Sequence, residues 1–243
     1  MTHRLAMWSG PRNISTAMMR AFEARGDCAV VDEPFYAAYL SISGAVHPMQ
    51  AAVLASQPQA PADVVAQLSA PLPNDVALQY QKQMTHHVVF DLDERWLASL
   101  SHAFLIRNPA AMIASYLHKR ASVEPDDLGV ARQRAIFETI TRVTGKEPPI
   151  IAAEDILRQP STALARLCDA VSIPRSDSMY TWPAGRRSTD GVWAPHWYGA
   201  VEASTGFKPF EPSEPVLSGA AKRVLAACEP DYRFLYERRL HVT

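Results

Sequence analysis

Short apolar runs alternate along the chain with segments whose apolar residues recur three and four positions apart. Residues 4–8, 29–31, 81–89, 103–106 and 150–153 have strand length and predict five strands. After the first of them, Ile14, Ala17, Met18, Ala21 and Phe22 form one helical stripe. Asp93 predicts the start of a short helix as its N-cap. Asn108, with Pro109 at the first helical position, predicts another, with Met112, Ile113, Tyr116 and Leu117 facing inward. Residues 127–144, 162–171 and 217–238 predict further helices. Strand and helix in alternation predict an α/β fold: three layers, an open, mostly parallel sheet of about five strands, and helices on both faces. One domain over residues 1–243 is expected.

Two segments interrupt the alternation. Residues 43–80 begin with an Ala- and Pro-rich stretch poor in charge, read as an insertion of short helices and turns whose Val53, Leu54, Val64, Val65 and Leu68 need burial. Residues 174–215 carry Tyr180, Trp182, Trp193, Trp197 and Tyr198, too much aromatic surface for a free tail.

Composition narrows the possible partners. The 243 residues carry 24 Lys+Arg against 25 Asp+Glu, a formal net charge of −1, so no overall basic field marks a nucleic-acid or membrane-surface binder and any anion site must be local. Cys28, Cys168 and Cys228 are three and far apart, which argues against a disulfide framework or structural zinc site and predicts buried or half-buried thiols. No apolar run is long enough to span a membrane. The first polar loop arrives at Ser9, leaving no room for a leader's apolar stretch, and a cytoplasmic location is expected.

The most informative segment is the first strand-to-helix turn, Ser9, Gly10, Pro11, Arg12, Asn13, Ile14, Ser15 and Thr16. A helix N-terminus offers free N–H groups and the positive end of a dipole to an anion. Ser15 and Thr16 add hydroxyl donors, and Arg12 adds a planar fork suited to oxygen-rich anions. The loop lacks the Lys and second Gly of a Walker A motif.

Ser-x-Pro-Arg-x-x-Ser-Thr resembles the 5′-phosphosulfate loop of sulfotransferases that use 3′-phosphoadenosine 5′-phosphosulfate (PAPS). Four further segments fit in order: Leu105-Ile106-Arg107-Asn108-Pro109 with Ser115, like the 3′-phosphate motif; Glu154-Asp155-Ile156-Leu157, like the segment after the last strand; residues 186–193, like the late loop that closes over the nucleotide; and Glu33, placed like a catalytic glutamate. The resemblance implies a P-loop-type nucleotide fold and PAPS as donor, with no metal site. Arg12 would stand as the catalytic cation, and Arg107, Ser115, Arg186 and Arg187 would hold the 3′-phosphate. Arg12 and Arg107 would grip opposite ends of the donor. Gly191 would admit close approach of the late loop to the nucleotide.

Sulfuryl transfer needs a base for the acceptor, a hydroxyl or in the alternative an amine. Glu33, just past a strand C-terminus, is one candidate; Asp32 beside it reads as a helix cap. His86 is the other, in a Lys82-x-x-Thr85-His86 pattern like that of the aryl and steroid branch, with Lys82 steadying the sulfonate. On a strand His86 and His87 would face opposite sides. Trp193 and Trp197 fit either a stacking surface or the core. The apolar, aromatic walls expected around the acceptor point to a small or amphipathic molecule. An ATP-dependent phosphotransferase and a non-catalytic adenine-nucleotide-binding domain are the alternatives.

Overall fold

The computed structural model describes residues 2–212 and 215–242. Its first half runs β1 (His3–Ser9), α1 (Ser15–Glu23), β2 (Cys28–Asp32), α2 (Tyr36–Ser43), α3 (Gln50–Ser56), α4 (Pro61–Ser69), β3 (Leu78–Met84), α5 (Glu94–Ala98), β4 (Ser101–Ile106) and α6 (Pro109–Leu117). It continues with α7 (Pro125–Leu128), α8 (Val130–Thr144), β5 (Ile150–Ala152), α9 (Ala153–Arg158), α10 (Pro160–Ala170), α11 (Ala194–Trp197), α12 (Gly199–Glu202) and α13 (Gly219–Tyr236). The five strands form one parallel sheet in the order β2-β3-β1-β4-β5.

Alternation along β1 divides the core into two layers. Leu5 and Met7 pack with Met18 and Phe22 of α1 and Leu164 and Leu167 of α10. Ala6 and Trp8 pack on the other face with Phe104 and with Ile136, Phe137 and Ile140 of α8. Burying a side chain of this size stabilises by roughly 1.5–3 kcal/mol. The chain leaves β1 toward β2 on one side and later returns to β4 on the other. The C-terminal tips of β1, β3 and β4 therefore flank a switch point, where parallel sheets open a ligand crevice.

Several element bounds differ from the pattern reading. The third strand is Leu78–Met84, three residues earlier than expected at its start and five earlier at its end. Its outward-reading Gln79, Gln81 and Gln83 are buried, joined side chain to side chain at 2.8 and 3.1 Å, so an amide ladder does what apolar residues would. It ends at Met84 because β1, its partner, ends opposite at Ser9, and because the Thr85 hydroxyl donates to the carbonyls of Ser9 and Gly129. Residues 85–87 then form a 3₁₀ turn. The expected helix over 127–144 breaks at Gly129, whose φ is +64°. The 43–80 segment is helical only through α4 and becomes sheet at Leu78. Asp93 and Asn108 cap α5 and α6 as read, accepting from Arg95 and Trp96 N–H and from Ala110 N–H. Cys168 and Cys228 are buried and Cys28 is half-buried. No helix among the described residues is long and apolar enough to cross a membrane.

Candidate active site

The loop after β1 is built under strain. Arg12 and Ile14 hold φ of +59° and +50°, a region that costs a non-glycine residue on the order of 1–3 kcal/mol. The Asn13 side chain clamps the loop by donating to the Leu105 carbonyl at 2.5 Å. Gly10 packs so closely that a Cβ would sit 2.6 Å from the Leu128 carbonyl oxygen. Helix α1 starts without a side-chain cap, so its first-turn N–H groups keep their capacity for an anion.

A cavity of about 380 Å³, within the range of small-ligand sites, opens against this loop. Pro11 to Thr16 line it, with Arg107, Ser115, Glu33 and His86. Ser9 and Gly10 lie behind the wall and serve packing. Arg12 Nε donates to Ser115 Oγ at 3.0 Å, and the Arg107 guanidinium donates to the Arg12 carbonyl at 2.5 Å. The Arg107 side chain thus reaches the Arg12 backbone, and both guanidiniums belong to one stretch of cavity wall. Burial lowers both guanidinium pKa values, and Arg107 adds its repulsion at Arg12, but neither group approaches neutrality. Among the described residues neither has a carboxylate within 4.0 Å. Two paired, partly desolvated cations facing a cavity suit a polyanion.

The same cavity reaches a buried polar cluster. Lys82 Nζ lies 3.0 Å from Asp32 Oδ1, 2.7 Å from Glu33 Oε1 and 2.5 Å from the Tyr198 hydroxyl. Tyr198 donates to Asp32 at 2.7–2.8 Å and accepts from Trp193 Nε1 at 3.0 Å. Gly191 N–H donates to Asp32 at 3.0 Å. One ammonium shared by two carboxylates leaves the cluster net negative. Burial pulls the Lys82 pKa down, but Asp32 and Glu33 outweigh it and hold it above the ordinary value. Burial raises the Glu33 carboxyl, Lys82 opposes this, and Asp32 raises it further. Glu33 itself is strained at φ +41°, held by N–H donation to the Lys82 carbonyl and by its carbonyl accepting from Gln57. Its Oε1 is engaged by Lys82, whereas Oε2 has no hydrogen bond among the described residues and lies 3.9 Å from His87 Nε2. That second oxygen remains able to accept a proton.

The 3₁₀ turn revises the histidine reading. His86 and His87 stand with ring centroids 4.2 Å apart, and both line the cavity. Burial depresses the His86 pKa to about 3, which makes it a weaker base than the raised Glu33 carboxylate. Lys82 is committed to two carboxylates and is not free for a sulfonate. Asp32 caps no helix; it ties β2 to the late loop through Tyr198 and Gly191.

That late loop does not bring its arginines to the cavity. Asp190, with a fully buried side chain, pairs with Arg20 at 2.6 Å and accepts from Arg187 N–H at 2.8 Å. The resulting turn leaves Arg186 exposed and sends Arg187 to Glu23, 3.6 Å away. Gly191 leaves room for the Trp193 ring, which would collide with a Cβ there, so its smallness serves packing. Trp193 is core, and Trp197 lines the cavity. Sequence reasoning singled out neither Arg120 nor Lys208, both on the cavity wall, and placed Tyr198 only within an aromatic stretch.

A family model described as a sulfotransferase domain matches residues 3–239. Two curated Arabidopsis thaliana proteins, called branched-chain-amino-acid aminotransferase-like protein 1 and 2, are 35% and 31% identical over 202 and 230 residues, covering 82% and 94% of this chain. The chain spans only 36% and 40% of their lengths. The crystal structure of a sulfotransferase from Alicyclobacillus acidocaldarius superposes at a TM-score of 0.58 over 99% of this chain and 98% of that one, with 14% identity, a likeness of fold. The matched region takes in the loop after β1, the carboxylates after β2 and both cavity arginines, and the chain belongs to the sulfotransferase domain family.

Proposed function

We propose that this chain moves a sulfuryl group from PAPS to a hydroxyl of a small, amphipathic acceptor. The observation that carries the reading is two groups lining one cavity: Arg12 and Arg107, without a carboxylate partner among the described residues, and Glu33 with one oxygen unengaged. The 5′-phosphosulfate would sit on the loop N–H groups and the Ser15 and Thr16 hydroxyls. Arg107 and Ser115 would take the 3′-phosphate, a dianion suited to charge-assisted hydrogen bonds. Arg12 would then leave Ser115, a reach that its long side chain permits.

Transfer forms a bond from the acceptor oxygen to sulfur and breaks the bond from sulfur to the bridging oxygen. The bridging oxygen keeps the electron pair and becomes a phosphate oxygen of adenosine 3′,5′-bisphosphate. Arg12 would strengthen its contact there as charge develops, the interaction that accelerates the step. Glu33 would accept the acceptor proton on Oε2 while Lys82 holds Oε1. Positioning and charge account for most of such a reaction, as in phosphoryl transfer.

The test is transfer from PAPS to components of a hydroxyl-compound panel, read as acceptor mass gain matched by release of the bisphosphate. Matched formation of both products supports the reading. Bisphosphate binding without transfer would make the chain a non-catalytic nucleotide binder, and turnover of ATP with Mg²⁺ would make it a phosphotransferase.

A further inference from the structure

We propose that Arg120 anchors an acidic group on the acceptor, so that the substrate is an amphipathic hydroxy acid and not a neutral alcohol; this rests on the sulfotransferase reading above. Arg120 follows the last turn of α6, where its N–H donates to the Tyr116 carbonyl at 3.1 Å. Its side chain lines the cavity with its guanidinium carbon 5.6 Å from the centre of the Trp197 ring. Among the described residues that guanidinium has no carboxylate within 4.0 Å, and its buried Nε has no hydrogen-bond partner. A buried donor left unmet is costly, and a guanidinium more so than a neutral group.

The other cations of the cavity are accounted for. Lys82 has two carboxylates, Arg12 has Ser115, Arg107 has the Arg12 carbonyl, and Lys208 is exposed to water at the rim. Unlike Lys82, Arg12 and Arg107, the Arg120 side chain has no hydrogen-bond or ion-pair partner among the described residues, and it stands over the Trp197 ring. The nearby acid Asp127 is occupied in capping, accepting from Glu124 N–H at 2.8 Å.

Its surroundings belong to the acceptor side. Tyr36 stacks on His87 at 4.4 Å and shares a 2.8 Å hydrogen bond with His47 Nδ1. These groups border Glu33, the proposed base, whereas the contacts of Arg12 and Arg107 run to Ser115 and the phosphate loop. Burial, then the Arg120 charge, lowers the His47 pKa to about 4, so near neutral pH no protonated histidine there competes for an anion. An aromatic cage with a base at one side and an unpaired guanidinium in its wall fits a molecule with a hydroxyl, an apolar body and a carboxylate.

The experiment uses matched pairs, para-hydroxyphenylacetate and an ω-hydroxy fatty acid, each against its neutral amide. Affinity is measured with adenosine 3′,5′-bisphosphate present, and kcat/KM with PAPS. The carboxylate should be favoured by about ten- to a hundred-fold in at least one pair, as for a charge-assisted contact. Arg120→Gln should bring that ratio toward one while leaving bisphosphate affinity unchanged. Equal or weaker handling of every carboxylate, a preference that survives Arg120→Gln, or lost bisphosphate affinity in that variant would each overturn the assignment. Failure of the wild-type protein to bind the bisphosphate would instead strike the sulfotransferase reading.

Discussion

Replacing Lys82 by Met tests the buried cluster most severely. Lys82 is 1% exposed and pairs with two carboxylates at 3.0 and 2.7 Å. Methionine keeps the length and apolar stem but leaves Asp32 and Glu33 as like charges in a site closed by Trp193 and Tyr198. Removing one member of such a group costs about 3–5 kcal/mol, because the remaining charge stays buried without compensation. For a chain of this length that lowers Tm by roughly 10 °C. The pH dependence adds a sign. Without the ammonium, the folded-state pKa of Glu33 rises further above its unfolded value, so the folded protein holds a proton more tightly than the unfolded chain does. Stability is then relieved at low pH and lost as pH rises through the folded pKa. Urea unfolding of both proteins from pH 5 to pH 8 should show the deficit widening with pH. A deficit below about 1 kcal/mol at pH 8, or one that narrows as pH rises, would refute the reasoning.

Arg12→Ala should reduce turnover by about 10²–10³, as for loss of one oxyanion donor, in a single-turnover assay with saturating PAPS. Glu33→Gln should cost about 10²–10⁴ in kcat and remove the acidic limb of the pH–rate profile, which in the wild type lies above the ordinary carboxylate range because burial raises Glu33. His86→Ala should leave that limb in place; loss of the limb only in the histidine variant would reverse the assignment. His102 accepts from Trp8 Nε1 at 3.1 Å and bonds the Leu97 carbonyl at 2.9 Å, and burial depresses its pKa from 6.5 to about 4. Its neutral form is therefore favoured by folding, and its contribution is lost as pH falls from 6.5 to about 4, at about 1.4 kcal/mol per pH unit. Urea unfolding of His102→Gln should show that much less slope over the same interval.

The fold was legible where one physical signal dominated. The helical stripe from Ile14 to Phe22 and the caps at Asp93 and Asn108 depend on local periodicity and local hydrogen bonds, and they appear where the pattern puts them. The third strand was misplaced because buried glutamines satisfy one another across positions that read as exposed. The histidine turn was missed because its cause is remote: Thr85 bonds to Ser9 and Gly129, far along the chain. The loop from Pro11 to Thr16, Arg107 and Glu33 were legible because each lies at or just after a strand end, where chemistry and topology coincide. Arg186 and Arg187 were not, because their direction depends on the buried pairing of Asp190 with Arg20 across 170 positions. Arg120 carries no motif, and only the folded cavity brings it to notice.

Calorimetric titration with adenosine 3′,5′-bisphosphate, with chelator present, reads out whether Arg12 and Arg107 hold this nucleotide against the loop after β1. Saturable one-to-one binding is expected, weakened about tenfold or more in Arg107→Gln, as for a lost charge-assisted contact. Absence of heat and of competition at millimolar nucleotide, or equal affinity in wild type and Arg107→Gln, would contradict it.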